Sequence, residues 1–316
     1  MRALPVTVQD TPHDRRRFIG GSDVAAVLGI SPWRTPMQLW ESKTRPALEC
    51  PQPTKRAFTR GHRWESVVAE MLVERLRADG HTVEVVAANK RYVDPTLDFL
   101  AAEIDFEVRL DGEDEITNVE LKTVHPFRAK EWGDAEDDVP VWYYAQVMHG
   151  LGVTGRHKGI IAPLFGADEI RAYPIVRDDE TLAAMRARCQ AFWNLVTTGV
   201  RPDPMNLSDL DRLYKGDEEA PTLIADEELT RHILRARTLT TKIKACETEL
   251  AAIEFDVKLA MKDATEIVIP DDTKKVAVTW KNRDCPWFDQ SALKEHDPKL
   301  HRRFQRKSTV RVFTVK

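Results

Sequence analysis

Two short patterns in the middle of the chain hold the residues best suited to chemistry. They are Ala102-Glu103-Ile104-Asp105 and, further along, Val119-Glu120-Leu121-Lys122. On a β-strand, residues i and i+2 share a face. Glu120 and Lys122 therefore project together, while Leu121 points the other way into apolar packing. If residues 99–110 and 116–124 pair as a hairpin, with the turn at Asp111-Gly112-Glu113-Asp114-Glu115, Asp105 comes to lie beside Glu120. Two carboxylates and the Leu121 carbonyl are hard oxygen ligands of the kind Mg²⁺ and Mn²⁺ take. A lysine alongside can polarise an attacking water or steady charge building on a phosphate. Phosphodiester hydrolysis uses this combination. An ELK triplet alone equally describes a surface salt bridge, so the reading needs further support.

Two more residue sets offer it. Gly61-His62-Arg63-Trp64-Glu65 stands where an apolar helical periodicity begins (Val67, Val68, Met71, Leu72, Leu76). A carboxylate at such a helix start can reach a metal or simply favour the helix dipole. Tyr143-Tyr144-Ala145-Gln146 falls on the helix after the second strand, where Gln146 can bond a metal-bound water or a phosphate. Near the N-terminus, Ser22 follows Gly20-Gly21 at another helix start, either an anion cradle or a plain N-cap.

These residues need elements to position them. The pattern predicts a short helix at Val24–Leu28 with Ser22 and Asp23 as N-cap types, a second from Met37, and a loop over 46–56. A helix at 61–79 follows, then strand-like stretches at 83–88 and 92–93 and strands at 99–110 and 116–124. A helix at 139–151, strands at 157–164 and 173–176, and an amphipathic helix at 178–198 complete the first part. That order predicts an α/β core over about 1–205, a mixed central sheet flanked by helices. A linker over 208–221 introduces a second module, 206–316. Its apolar positions Leu239, Ile243, Cys246, Leu250, Ile253, Val257 and Ala260 step by 4 and 3 alternately, a heptad seam that predicts a long helix packed on a partner helix. Short strands at 267–269, 276–280 and 310–315 around a Lys-rich turn are expected after it.

Whole-chain properties set bounds. The 316 residues carry a net charge of −4 that conceals segregation: residues 1–64 and 271–316 are each +6, and residues 65–270 are −16. Basic flanks around an acidic centre suit a protein that grips a polyanion and holds metal. No apolar run approaches bilayer length and the first residues lack a signal-peptide core, so the cytoplasm is the expected compartment. Cys50, Cys189, Cys246 and Cys285 are too scattered for a CxxC-type metal site. GxxxxGK[ST], HExxH and GxSxG patterns are missing, which argues against P-loop ATPase, zincin and α/β-hydrolase chemistry.

The run RRRFIGGSDVAAVLGISPWRTPMQLWESKT, followed in order by GHRWE, AEID, VELKTV and VWYYAQVMHGLGVTG, resembles YqaJ-type phage recombination nucleases. These are relatives of lambda exonuclease within the PD-(D/E)XK superfamily. The resemblance covers about residues 15–204. It departs from the superfamily's usual pattern before the first acid, where Glu103-Ile104 stands in place of a proline. It implies a PD-(D/E)XK core in which Asp105, Glu120 and Glu65 are metal-site acids, the Leu121 carbonyl a further ligand, Lys122 the catalytic lysine and Gln146 the motif glutamine. It also implies that Arg15 and Ser22 hold the 5′-phosphate of a DNA end. The activity implied is Mg²⁺-dependent digestion of linear double-stranded DNA, 5′→3′, with two metal ions and Mn²⁺ as a substitute. The 3′ single strands would pass to a single-strand annealing recombinase, and the enzyme would be a homo-oligomer, a ring-shaped trimer. An endonuclease or nickase on the same core, and a non-catalytic DNA-end-binding module, are the alternatives.

Overall fold

The computed structural model describes residues 14–45, 52–133, 139–216, 220–269, 276–306 and 311–315, with side chains in the third helix described from Arg63 onward. The chain divides into two compact units, Met1–Leu213 and Tyr214–Lys316.

In the first unit a 3₁₀ turn at Arg15–Arg17 leads to helices α1 (Gly21–Val27), α2 (Pro36–Thr44) and α3 (Gln52–Ala78). Strands β1 (Val83–Val93), β2 (Ala101–Leu110) and β3 (Thr117–Val124) then form an antiparallel meander. Helix α4 (Val141–Thr154) crosses over to β4 (Lys158–Phe165), which lies parallel to β3. Gly155, at φ +72°, ends α4 in the left-handed conformation that glycine adopts at least cost. Strands β5 (Glu169–Ile170) and β6 (Tyr173–Val176) pair antiparallel with β4, completing a six-stranded mixed sheet. Helix α5 (Asp179–Thr198) and the short α6 (Leu207–Leu213) follow. The α/β class expected from the sequence is the observed one.

Two apolar cores sandwich the sheet. Val68, Leu72 and Leu76 of α3 pack with Phe106, Val108, Val119, Leu121, Ile160 and Leu164. Ile19, Val24, Met148, Leu151, Ile161, Cys189 and Phe192 pack on the other side with Ala102 and Ile104. Strand β2 thus changes face: Ala102 and Ile104 belong to one core, Phe106 and Val108 to the other. Asp105 lies at the switch. Opposite it in the β1 register is Asn89, whose φ of +51° breaks the regular strand at the same level.

Several expectations are corrected. Residues 52–56, placed in a loop, and 57–60, ahead of the expected helix start at 61, belong to α3, so Glu65 sits well inside a helix and the dipole reading does not apply to it. Residues 208–213 are helical rather than linker. Asp209 of α6 is fully buried, accepting from Thr35 Oγ1 at 2.8 Å and Gln38 Nε2 at 3.2 Å, which fastens α6 to α2 and moves the unit boundary from 205/206 to 213/214. Gly20, not Ser22, is the N-cap of α1, because Asp23 reaches back to accept from the Gly20 N–H at 3.1 Å.

In the second unit, α7 (Glu227–Met261) is the expected long helix, capped by the Asp226 carboxylate. A hairpin of β7 (Glu266–Val268) and β8 (Val276–Thr279) follows, then short helices α8 (Gln290–His296) and α9 (Pro298–Phe304) that the sequence reading did not anticipate. Residues 311–315, expected as strand, have no regular structure; Lys274, Lys275, Lys307 and Cys50 lie outside the described residues. No helix among the described residues is long and apolar enough to cross a membrane.

Asp94, at the end of β1, is buried and joined to Arg186 of α5 through 2.5 and 2.9 Å bonds; it also accepts from the Thr96 and Leu97 amides. Burial works against its charge, but Arg186 and these amides outweigh it and hold the carboxyl at about 2. Arg186→Met is expected to lower unfolding free energy by about 3 kcal/mol, because it strands a buried carboxylate. The pair's contribution is present above the ordinary carboxyl value of 3.8 and fades as pH falls towards about 2. Denaturant titrations of both proteins should therefore converge at acid pH; a constant gap would contradict the assignment.

Candidate active site

The β2–β3 ladder is only three residue pairs long, from Val108 with Thr117 to Phe106 with Val119. Beyond it the strands part, because β2 has changed face while β3 continues straight beside β4. The register would next bring Asp105 opposite Glu120. Instead of another ladder bond, the Leu121 N–H donates to Asp105 Oδ2 at 2.9 Å. Leu121 itself packs under α3, as its alternation in the strand requires. Glu120 and Lys122 point to the opposite side, and Lys122 Nζ donates to Glu120 Oε1. From α4, Gln146 Nε2 donates to the same oxygen at 2.6 Å. Lys122 also lies 5.3 Å from the centre of the Tyr143 ring.

Charge in this cleft is unbalanced. Burial first, and then the neighbouring Asp105 carboxylate, raise the Glu120 carboxyl above its ordinary value against the pull of Lys122. Burial disfavours the charge on Lys122, but Glu120 and Asp105 outweigh it and raise its basicity. Asp105 and Glu120, with the peptide between Glu120 and Lys122, form an oxygen-rich group suited to a hard divalent cation. Among the described residues no three carboxylate, imidazole or thiol side chains converge into a preformed cage. Glu65 faces the same cleft from α3.

A second polar group borders it. Arg15 donates to Ser22 Oγ at 2.7 Å, with Ser22 in the first turn of α1. Beneath them Asp23 is 2% exposed and meets Lys43 at 2.7 Å and also Arg34. Lys43 Nζ further donates to the carbonyls of Arg15 and Phe18, both at 2.6 Å, and so ties the 3₁₀ turn to α2. Burial would raise the Asp23 carboxyl, but Lys43, Arg34 and Arg15 together hold it below the usual range. Gly21 packs so closely on α4 that a Cβ there would stand 3.1 Å from Gln146 Cγ. The two polar groups are thereby joined through one helix contact.

All eight residues singled out from the sequence, Arg15, Ser22, Glu65, Asp105, Glu120, Leu121, Lys122 and Gln146, line one cavity of about 510 Å³. Phe18, Trp33, Thr123 and Tyr143 line it too and were not singled out. The buried Asp23–Lys43 pair was also missed. Its one signal was a lysine four residues after the core residue Leu39, on the inward side of a short helix.

Residues 12–157 match the YqaJ-like viral recombinase domain. The chain is similar to the uncharacterized protein YqaJ of Bacillus subtilis (strain 168), at 27% identity over 310 residues, or 96% of this chain and 92% of that protein. In structure it is similar to an alkaline exonuclease, LHK-Exo, from Laribacter hongkongensis, with 18% identity and a TM-score of 0.44, covering 63% of this chain and 94% of that one. A phage-related exonuclease from Haemophilus somnus 129PT gives 13% identity and a TM-score of 0.40 over 58% of this chain and 95% of that one.

Replacing Lys43 with Met should cost about 3 kcal/mol of stability, since it removes the innermost cation from a buried carboxylate. It should also loosen Arg15, whose carbonyl Lys43 holds. Thermal unfolding monitors the first effect, and amide hydrogen exchange over residues 15–18 the second. A variant as stable as the parent would contradict this account of the cluster. The first part of this chain, residues 12–157, is thus similar to the YqaJ-like viral recombinase domain.

Proposed function

We propose that this protein is a divalent-metal-dependent deoxyribonuclease that digests linear duplex DNA from its ends, 5′→3′, leaving 3′ single strands for a single-strand annealing protein. One observation carries the reading: the acids Asp105, Glu120 and Glu65, the lysine Lys122 and the Arg15–Ser22 pair all border a single cavity. A nuclease acting at an end needs such a cavity, with cation-binding oxygens for the scissile phosphate and a cationic hold for the terminal one. The YqaJ-like viral recombinase match supports DNA as the substrate.

Asp105 and Glu120 would hold Mg²⁺, with the Leu121 carbonyl and Glu65 completing the oxygen set; Mn²⁺ would substitute, and a two-ion site is the form proposed. The bound cation would supply charge on the phosphate and a more acidic water. Everything else falls to the chain. Lys122, held beside Glu120, presents an ammonium to the non-bridging phosphate oxygens, where negative charge accumulates as water adds to phosphorus and the P–O bond to the leaving nucleotide breaks. Gln146 fixes the Glu120 carboxylate by its 2.6 Å bond. Arg15 and Ser22 grip the terminal 5′-phosphate, Arg15 through a planar guanidinium that suits it. Trp33, 57% exposed on the rim and packed on Trp142 and Tyr143, offers a ring to a terminal base.

Asp105→Asn and Glu120→Gln should each reduce cleavage on the order of 10³-fold while DNA binding survives, because contacts to other phosphates provide most affinity. Linear duplex should be digested with Mg²⁺, and covalently closed circles spared. Arg15→Ala should erase any preference for a 5′-phosphorylated end over a 5′-hydroxyl end without abolishing cleavage. Gel assays on the two substrates decide the matter. Rapid cutting of closed circles would mark an endonuclease, and unaltered cleavage by either carboxylate variant would remove the proposed site.

A further inference from the structure

Helix α7 carries its heptad seam in the open. Leu239 is 42% exposed, Ile243 58%, Leu250 55% and Ile253 53%. Such a stripe requires a partner helix, and the sequence of the stripe specifies which one. Continued towards the N-terminus, the seam includes Leu229, His232 and Ala236. Its large and small members are arranged reciprocally about the middle of the helix. When a second copy of α7 is laid antiparallel, Leu229 meets Ala260, Ala236 meets Ile253, Leu239 meets Leu250 and Ile243 meets Cys246. The small residues Ala236, Cys246 and Ala260 each then have a large aliphatic opposite, as core layers need for even packing, and His232 faces Val257. A parallel pair would instead stack Ala236 on Ala236, Cys246 on Cys246 and Ala260 on Ala260, leaving voids.

Charge selects the same arrangement. The residues flanking one side of the seam are Arg235, Lys242, Glu249 and Asp256: basic in the first half, acidic in the second. None of them is in an ion pair among the described residues. In the antiparallel register defined by the apolar layers, Arg235 faces Asp256 of the second copy and Lys242 faces its Glu249. Two-fold symmetry repeats each pair. On the other flank, Thr240 faces Glu247 and Ile233 faces Glu254, with no like charges opposed. In the parallel register Glu249 would face Glu254 twice. Within one helix Arg235 and Asp256 are about 31 Å apart, so they cannot satisfy each other.

We infer that α7 is a homodimerisation element, pairing antiparallel with α7 of a second copy of this chain in the register that sets Ile243 against Cys246. The inference is independent of the nuclease reading. Sedimentation equilibrium of the full-length protein tests it. The parent should form an even-numbered assembly, a dimer or, where the nuclease units also form the ring-shaped trimer that the resemblance implies, a hexamer. Arg235→Glu should weaken association about tenfold at low salt, from two lost attractions and two new repulsions. Arg235→Glu combined with Asp256→Arg should restore it, since the exchanged charges meet only between copies. Glu254→Lys should leave it unchanged. A monomeric parent, association indifferent to Arg235→Glu, a double variant no better than the single one, or a Glu254→Lys variant that associates more tightly (the sign of a parallel pair) would each overturn the proposal.

Discussion

The structure turns on the place where β2 and β3 stop pairing. After Phe106 and Val119 a regular meander would continue with Asp105 against Glu120, both carboxylates on one side of a closed sheet. The change of face in β2, with Asn89 breaking β1 at the same level, opens the sheet there instead. An open seam exposes a backbone amide that must be satisfied, and Asp105 accepts from it at Leu121. This bond both closes the seam chemically and fixes one carboxylate beside the other. Lys122 and Gln146 then converge on Glu120 from the next residue of its face and from the crossover helix. Burial and the neighbouring Asp105 raise the Glu120 carboxyl, a mismatch that a bound cation would relieve.

The N-terminal segment is held by a related logic. Asp23 has no access to solvent, so its charge is tolerable only among Lys43, Arg34 and Arg15. Lys43 uses its remaining protons on two carbonyls of the turn that carries Arg15. The close seat of Gly21 on Gln146 sets this assembly against α4, the helix that also reaches Glu120. The cationic and acidic ends of the cavity are therefore positioned by one shared element.

Much of this was legible in sequence, and for identifiable reasons. The i, i+2 rule placed Glu120 and Lys122 together, and the acidic Gly-containing turn gave the hairpin that brings Asp105 near. The periodicity of α5 was read nearly to both ends, and that of α7 to its C-terminal end but only from Leu239, twelve residues after its start at Glu227. What escaped was set by tertiary contacts. Gly61 does not interrupt α3, and Asp209 makes a helix of an apparently loop-like segment because Thr35 and Gln38 lie ready to bond it. The face change at Asp105 has no local signature, since it depends on which core each flanking residue joins. Asp23 read as a cap, and its buried partners come from α2 and the turn before it, too far along the chain for any short pattern to connect them.

Asp105 and Glu120 are proposed to bind the catalytic cation together. Crystals soaked in Mn²⁺ and measured near its absorption edge test this most directly. An anomalous peak in direct contact with a carboxylate oxygen of each, with Lys122 turned away from Glu120 towards the open cavity, is the predicted result. A cavity without a peak at saturating Mn²⁺, or a peak held by other residues while Lys122 stays on Glu120, would contradict it.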